Sequence, residues 1–203
     1  MLIQIQDLKR KNYLDTLRIQ ESLRNRVLKN RSDNYLILVE HDHVYTLGKN
    51  ANSNNILNNS CEIIQTQRGG DVTYHGPGQL VAYPIINLKQ RKIGVKNYIS
   101  MIEKLISNIL IDYGLEPQIP IKDTGVWIED QKIASIGIHV TRGVTLHGLA
   151  INVNTDLSYF DNIISCGIEG VKMTSMDKEL GKKIRMNDIK KSLITHFNQI
   201  FKD

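Results

Sequence analysis

Cys166 and Lys132 are the side chains in this sequence best suited to covalent chemistry. Cys166 closes the run Ile163-Ile164-Ser165 and is followed by Gly167-Ile168, so it can stand as a nucleophile on a turn. A thiol at its ordinary pKa of ~8.5 is only a few per cent thiolate at neutral pH, so the role requires a cation or base beside it. Lys132 stands in Gln131-Lys132-Ile133-Ala134-Ser135-Ile136-Gly137-Ile138-His139-Val140. On a strand it shares a face with Ala134, Ile136 and Ile138, which directs it toward the interior. Beside Cys166, its ammonium would favour the thiolate, while desolvation would favour its own neutral form. Each residue has a plainer alternative. A free cysteine is commonly a small buried hydrophobe, and a lysine near a strand end commonly snorkels to solvent.

A third constellation is Arg68-Gly69-Gly70-Asp71-Val72-Thr73-Tyr74-His75-Gly76-Pro77-Gly78-Gln79, with four glycines and a proline in twelve residues. Glycine is costly to order, so such density marks backbone that a side chain would obstruct. Polar side chains between the glycines can then converge on whatever approaches. The alternative is a tight bulged hairpin in which His75 and Gln79 satisfy backbone groups. The segment lacks the P-loop's Gly-Lys-Ser/Thr ending and the strand-to-helix context of a dinucleotide loop, which argues against phosphate binding. His147-Gly148-Leu149-Ala150 again places small residues on a strand, leaving room for a ligand or for a closely packed neighbour. His41-Asp42-His43 resembles a metal pair but has no third ligand at a credible spacing, so no metal is assigned. Cys61 reads as a buried structural thiol, and His139 and His196 as ordinary strand and helix histidines.

The elements that must position these groups are legible in the hydrophobic pattern. Residues 1–7 alternate like a strand and lack the order of a signal peptide. Residues 12–29 read as a helix with Leu14, Leu17, Leu23, Val27 and Leu28 near one face. Tyr35 to Val39 and Cys61 to Gln65 read as strands, with the asparagine-rich 50–59 as a loop. Leu80 to Leu88 reads as a strand in which Pro84 argues for an edge or a bulge. Val95 to Tyr113 has apolar residues at three and four and ends at Gly114, suited to a C-terminal cap. Gly125–Glu129, Gln131–Val140 and Val144–Val153 read as an antiparallel meander, because their connections are too short for helical crossovers. Val171 to Lys183 reads as a mobile loop, and a last helix is expected to start at Asp188 as N-cap.

At 203 residues the chain is most simply one domain. Hydrophobic residues at 41% and charged residues at 23% fit a globular protein. No apolar run approaches the ~20 residues of a membrane span. Two cysteines make no disulfide framework, which favours a reducing, cytoplasmic setting. The formal charge of +5 is either a solvated surface with excess lysine or the mark of an acidic partner. With aromatics at only 6% and no basic stripe, nucleic acid is a poor one.

Together these blocks resemble the octanoyltransferase family of lipoate biosynthesis. Residues 68–80 match its Arg-Gly-Gly-x-x-Thr-Tyr-His-Gly-Pro-Gly-Gln-Leu signature throughout. Val44-Tyr45-Thr46-Leu47-Gly48, Thr124-Gly125-Val126-Trp127, Lys132 to Gly137, His147 to Val153 and Cys166-Gly167-Ile168 match further blocks in order. Two positions depart from the pattern: Ser165 stands where a proline usually precedes the cysteine, and Ile151 replaces a leucine.

The resemblance implies an α+β single domain over 1–203, a largely antiparallel or mixed sheet flanked by helices, similar to biotin and lipoate protein ligase catalytic domains. It also implies transfer of an octanoyl group from acyl carrier protein to a lysine of lipoyl domains or of the glycine-cleavage H protein, without a cofactor. Cys166 and Lys132 are then catalytic. Arg68, Gly69, Gly70, Asp71, Val72, Thr73, Tyr74, His75, Ser135, Ile136, Gly137, Gly148, Leu149 and Ala150 are expected to bind substrate. Backbone N–H groups near Gly167 or Gly70 would stabilise the oxyanion, and His75 would hydrogen-bond in the site or brace Tyr74. The alternatives on the same fold are an ATP-dependent lipoate or biotin protein ligase and an amidotransferase. A basic nucleic-acid-binding module leaves the matched blocks unexplained.

Overall fold

The computed structural model describes residues 3–30, 33–120 and 123–201; Met1 and Leu2 of the expected first strand lie outside them. Strand β1 (Ile3–Arg10), helix α1 (Tyr13–Lys29) and strand β2 (Asn34–Glu40) form a parallel strand pair with a helical connection. Asn12 caps α1, its side chain accepting the N–H groups of Leu14 at 2.8 Å and Asp15 at 3.3 Å. Strands β3 (Val44–Leu47), β4 (Glu62–Gln65) and β5 (Thr73–His75) make a small sheet in the order β4-β3-β5. Then follow β6 (Gln79–Ile85), α2 (Val95–Asp112), β7 (Pro117–Gln118), β8 (Val126–Ile128), β9 (Gln131–Thr141) and β10 (Val144–Asn152). After a short turn of 3₁₀ helix, Ser165–Gly167, the chain ends with β11 (Lys172–Met173), α3 (Met176–Leu180) and α4 (Met186–Ile200).

The main sheet has eight strands in the order β1-β2-β6-β10-β9-β8-β7, with β11 joining β9 beyond the end of the β10 ladder. Its only parallel pairs are β1 with β2 and β11 with β9 among the described residues. β8, β9 and β10 form the expected antiparallel meander. The architecture is therefore α+β with a mixed sheet.

Both faces of the sheet are covered, which explains why Tyr35 to Val39 is an unbroken apolar run. Leu36, Leu38, Leu80, Leu149 and Ile151 pack on one side with Tyr98, Ile102, Leu105 and Ile106 of α2 and Ile189, Leu193 and Phe197 of α4. Tyr35, Ile37, Val39, Val81 and Tyr83 point to the other side, against Leu23 and Val27 of α1. α2 stops as its sequence predicts: the Gly114 N–H donates to the Ile111 carbonyl at 2.9 Å and the Leu115 N–H to that of Leu110 at 3.1 Å.

Four expectations are corrected. Pro84 is not on an edge, since β6 lies between β2 and β10. No bulge accommodates it either: the β6–β10 ladder breaks off at Ala82–Leu149 and resumes in the same register at the Asn87–Val144 bridge, with His147 at a positive φ of 58° between them. A Cβ on Gly148 would lie 2.2 Å from the Ala82 carbonyl oxygen, so the bare residue lets β10 pass the proline closely. The buried stripe of α1 runs through Tyr13, Thr16, Gln20, Leu23 and Val27, whereas Leu14 is 37% exposed. α4 begins earlier than expected, with Asp188 in its first turn paired to Arg185 at 2.7 Å. Residues 171–183 are no loop: they supply β11 and α3, with Thr174, Ser175 and Met176 buried.

Candidate active site

Lys132 sits near the start of β9, 2% exposed, where the face shared with Ala134 directs it inward. Its stem fits only because Gly125 opposite carries no side chain. A Cβ there, at φ 136°, would lie 2.6 Å from Lys132 Cε and 2.7 Å from the Ala134 carbonyl oxygen. Among the described residues the Lys132 ammonium has no carboxylate partner. Nζ donates to the Thr124 carbonyl at 2.9 Å and to Cys166 Sγ at 3.3 Å, and it lies 5.6 Å from the centre of the Trp127 ring. A carbonyl and a ring face stabilise the cation without neutralising it, leaving its charge directed at the sulfur.

Cys166 occupies the middle of the Ser165–Gly167 turn with φ 60° and ψ 13°. A non-glycine residue in this left-handed region costs roughly 1–2 kcal/mol, so its surroundings must impose the conformation. Its N–H donates to the Val72 carbonyl at 2.8 Å, and the Gly167 N–H to that of Ile164 at 3.1 Å. The asparagine-rich loop braces the same turn: the Ile164 N–H donates to the Asn55 carbonyl at 2.8 Å, and Asn55 Nδ2 to the Asp71 carboxylate at 2.9 Å. Asp71 in turn accepts the Val72 N–H at 2.6 Å.

The glycine segment is held by close backbone approach. A Cβ on Gly48, just after β3, would lie 1.9 Å from the Gly70 carbonyl oxygen, and the Gly69 N–H donates to the Ile138 carbonyl at 2.9 Å. Arg68 is buried beneath it. Its guanidinium donates to the Thr46 hydroxyl from Nε at 3.1 Å and to the Gly69 carbonyl from Nη1 at 2.9 Å. Burial draws this guanidinium below its ordinary value, while the negative forms of Tyr13 and Cys166 act in the opposite sense. A second cation thus stands in the field of the sulfur.

A narrow apolar slot runs from Cys166 along the α1 side of the sheet. Arg68, Gly70, Asp71, Thr73, His75, Ser135, Ile136, Gly137, Gly148, Leu149 and Ala150 line it. Gly69 instead lines a neighbouring cleft that also reaches Cys166. Val72 and Tyr74 line neither. Val72 packs with Tyr45, Tyr74 and Phe160, and the Tyr74 hydroxyl is hydrogen-bonded to His43 Nδ1 at 2.8 Å. His75 does not brace Tyr74 through its ring: its Nδ1 bonds Gln79 Oε1 at 2.7 Å, and Gln79 Nε2 donates to the Tyr74 carbonyl at 3.2 Å.

Tyr13, Val81, Tyr83 and His147 also line the slot and were not singled out as binding residues. Tyr83 lies inside an apolar strand and Tyr13 starts a helix, so no local pattern distinguishes them; His147 adjoins the small-residue block. Tyr13, Tyr83 and His147 form a neutral polar floor. Burial holds His75 and His147 down at about 3 and His41 at about 4. His41 Nδ1 donates to the Lys11 carbonyl and its Nε2 accepts from the Tyr83 hydroxyl, both at 2.8 Å. The His41-Asp42-His43 pair is therefore split, with Asp42 bound to Arg10 at 2.7 Å. Cys61 is half-buried, and its burial raises its thiol.

The model of the lipoyl protein ligase A/B catalytic domain matches residues 12–198. Curated octanoyltransferases match over nearly the whole chain. That of Flavobacterium johnsoniae is 40% identical, covering 98% of this chain and 96% of its own. That of Solibacter usitatus is 43% identical, covering 97% and 92%. Among solved structures, a bipartite lipoate protein ligase from Thermoplasma acidophilum superposes with a TM-score of 0.70 at 16% identity, covering 98% of this chain and 84% of that one. The biotin protein ligase of Aquifex aeolicus gives 0.62 at 11% identity, covering 97% and 69%. These two similarities establish the expected fold kinship, and no helix among the described residues is long and apolar enough to cross a membrane. By sequence and by fold, the chain belongs to the octanoyltransferases, acyltransferases of the lipoyl protein ligase A/B catalytic-domain family.

Proposed function

We propose that this octanoyltransferase takes its acyl group from octanoyl-acyl carrier protein, holds it on Cys166 as a thioester and passes it to a lysine of a lipoyl domain or of the glycine-cleavage H protein, in the cytoplasm. The observation that carries this reading is the 3.3 Å contact between Lys132 Nζ and Cys166 Sγ at the end of an apolar slot. A proton shared across that contact leaves a thiolate beside an ammonium. The thiolate attacks the thioester carbonyl, the carrier thiolate departs, and the Lys132 ammonium protonates it. The amine form of Lys132 then accepts the proton that the incoming lysine must lose. Two half-reactions suit two protein substrates that cannot occupy one sulfur together.

The slot would hold the unbranched chain, each buried methylene contributing about 0.8 kcal/mol. The Gly167 and Cys166 N–H groups are already committed to Ile164 and Val72. Of the oxyanion donors expected from sequence, Gly70 is the better placed, since it lines the slot beside the sulfur. Such a donor is worth roughly 3 kcal/mol in the transition state. The net charge of +5 would steer acidic carrier and acceptor domains toward the site.

The test supplies octanoyl-acyl carrier protein and an apo lipoyl domain without ATP. Wild type should octanoylate the acceptor; Lys132→Met should keep the fold, because apolar volume replaces a buried cation, yet lose transfer by about a hundredfold or more. Transfer that requires ATP and free octanoate would instead identify a ligase.

A further inference from the structure

A second cleft meets the acyl slot at the reactive sulfur. Cys166, Gly70, Ile136 and Gly137 wall both cavities. With an acyl chain in the slot, the carbonyl carbon on Cys166 can be approached by an outside nucleophile only from a space that also opens on the sulfur, and this cleft does. It passes Lys132, is flanked by Ile99, Ile138 and Ile168, and reaches Asp123 and Thr124 at its mouth. The Thr124 carbonyl accepts from Lys132 Nζ at 2.9 Å, so Asp123, one residue earlier, stands at the amine end of the catalytic pair. The Asp123 carboxylate has no hydrogen-bond or ion-pair partner among the described residues. Isoleucine walls suit a run of methylenes, and a carboxylate at the mouth suits a cation. The slot already carries the buried Arg68 cation in its wall, which disfavours an incoming ammonium there.

Building on the acyl-enzyme reading above, we propose that this cleft is the acceptor port: it binds an aliphatic side chain ending in an ammonium, with Asp123 as the first charge partner of the incoming lysine. Asp123 is a positioning residue for the amine and takes no proton. The ammonium loses one proton to solvent as it leaves Asp123 for the thioester. The amine lone pair forms the C–N bond. The second proton passes to the neutral Lys132 amine. The C–S bond breaks, and Cys166 departs with the electron pair as thiolate beside the Lys132 ammonium.

The test separates amine from thiol at one acyl-enzyme. The full-length protein is acylated with a small-molecule octanoyl thioester and discharged in parallel with n-pentylamine and with pentanethiol. Both probes fit the same apolar walls, and only the amine carries a positive charge at neutral pH. In Asp123→Lys the ratio of amine to thiol discharge should fall fivefold or more, with Asp123→Asn between it and wild type. A smaller change in the ratio overturns the acceptor port while leaving the acyl-enzyme standing. A wild-type protein that never acylates refutes the parent reading and this one with it.

Discussion

Three buried histidines should make this protein sensitive to mild acid. His41, His75 and His147 are held neutral at about 4, 3 and 3, against an ordinary value of 6.5, with burial the largest cause in each. Between pH 6.5 and those values the unfolded chain binds protons that the native state refuses. Stability therefore falls as pH drops below 6.5 and goes on falling until the folded values are reached. At pH 5, 1.5 units below the unfolded value, each histidine costs about 2 kcal/mol. The three together should cost about 6 kcal/mol, a large share of the roughly 5–15 kcal/mol that holds a domain folded. The window lies above the range of ordinary carboxylates, and His139, also lowered by burial, adds to the loss with the same sign. Urea unfolding at pH 7.5, 6.5, 5.5 and 5.0 measures the loss. His41→Gln can keep both hydrogen bonds without titrating, and should remove about a third of it. A stability constant to within 1 kcal/mol from pH 7.5 to 5 would refute the reasoning.

Two further predictions concern the backbone around the nucleophile. Gly48→Ala places a Cβ 1.9 Å from the Gly70 carbonyl oxygen, an overlap with backbone that no rotamer relieves. It should cost about 1–3 kcal/mol in thermal or urea unfolding and slow acylation by displacing Gly70; an unchanged melting temperature would show that the two segments are not in contact. Ser165→Pro should stabilise by about 0.4–1 kcal/mol. Ile164 before it is extended at φ −85° and ψ 90°, as a residue preceding proline must be, and among the described residues the buried Ser165 hydroxyl has no partner to lose. A fall in melting temperature would show that the Ser165 backbone cannot accept the ring.

Where one element's own periodicity decided the outcome, the sequence was a sufficient guide. α2 with its Gly114 ending, the β8–β10 meander and the inward direction of Lys132 are all local patterns. Errors arose where a partner decided. Pro84 reads as an edge or bulge residue because its missing N–H would break a ladder; the gap in pairing that accommodates it, beside His147 and Gly148, is on β10, more than sixty residues away. Leu14 looks core-facing by residue type, but buried Tyr13, Thr16 and Gln20 carry the stripe, with Gln20 accepting the His147 N–H at 2.9 Å. The glycines read as room for a ligand, and some do border the slot. Gly48 serves instead to let one backbone pass another, and Gly148 does both. The floor of Tyr13, Tyr83 and His147 comes from three separate elements, so no spacing in the sequence announces it.

The pairing of Cys166 with Lys132, 34 residues apart and 3.3 Å from contact atom to contact atom, is the centre of the mechanism. Its most direct test is the intact mass of the enzyme after brief incubation with octanoyl-acyl carrier protein. Wild type should gain one octanoyl group, lose it when an apo lipoyl domain is added, and gain none in Cys166→Ala. A Cys166→Ala protein that is labelled to the same extent, or a wild-type adduct that the acceptor cannot discharge, would contradict transfer through this cysteine.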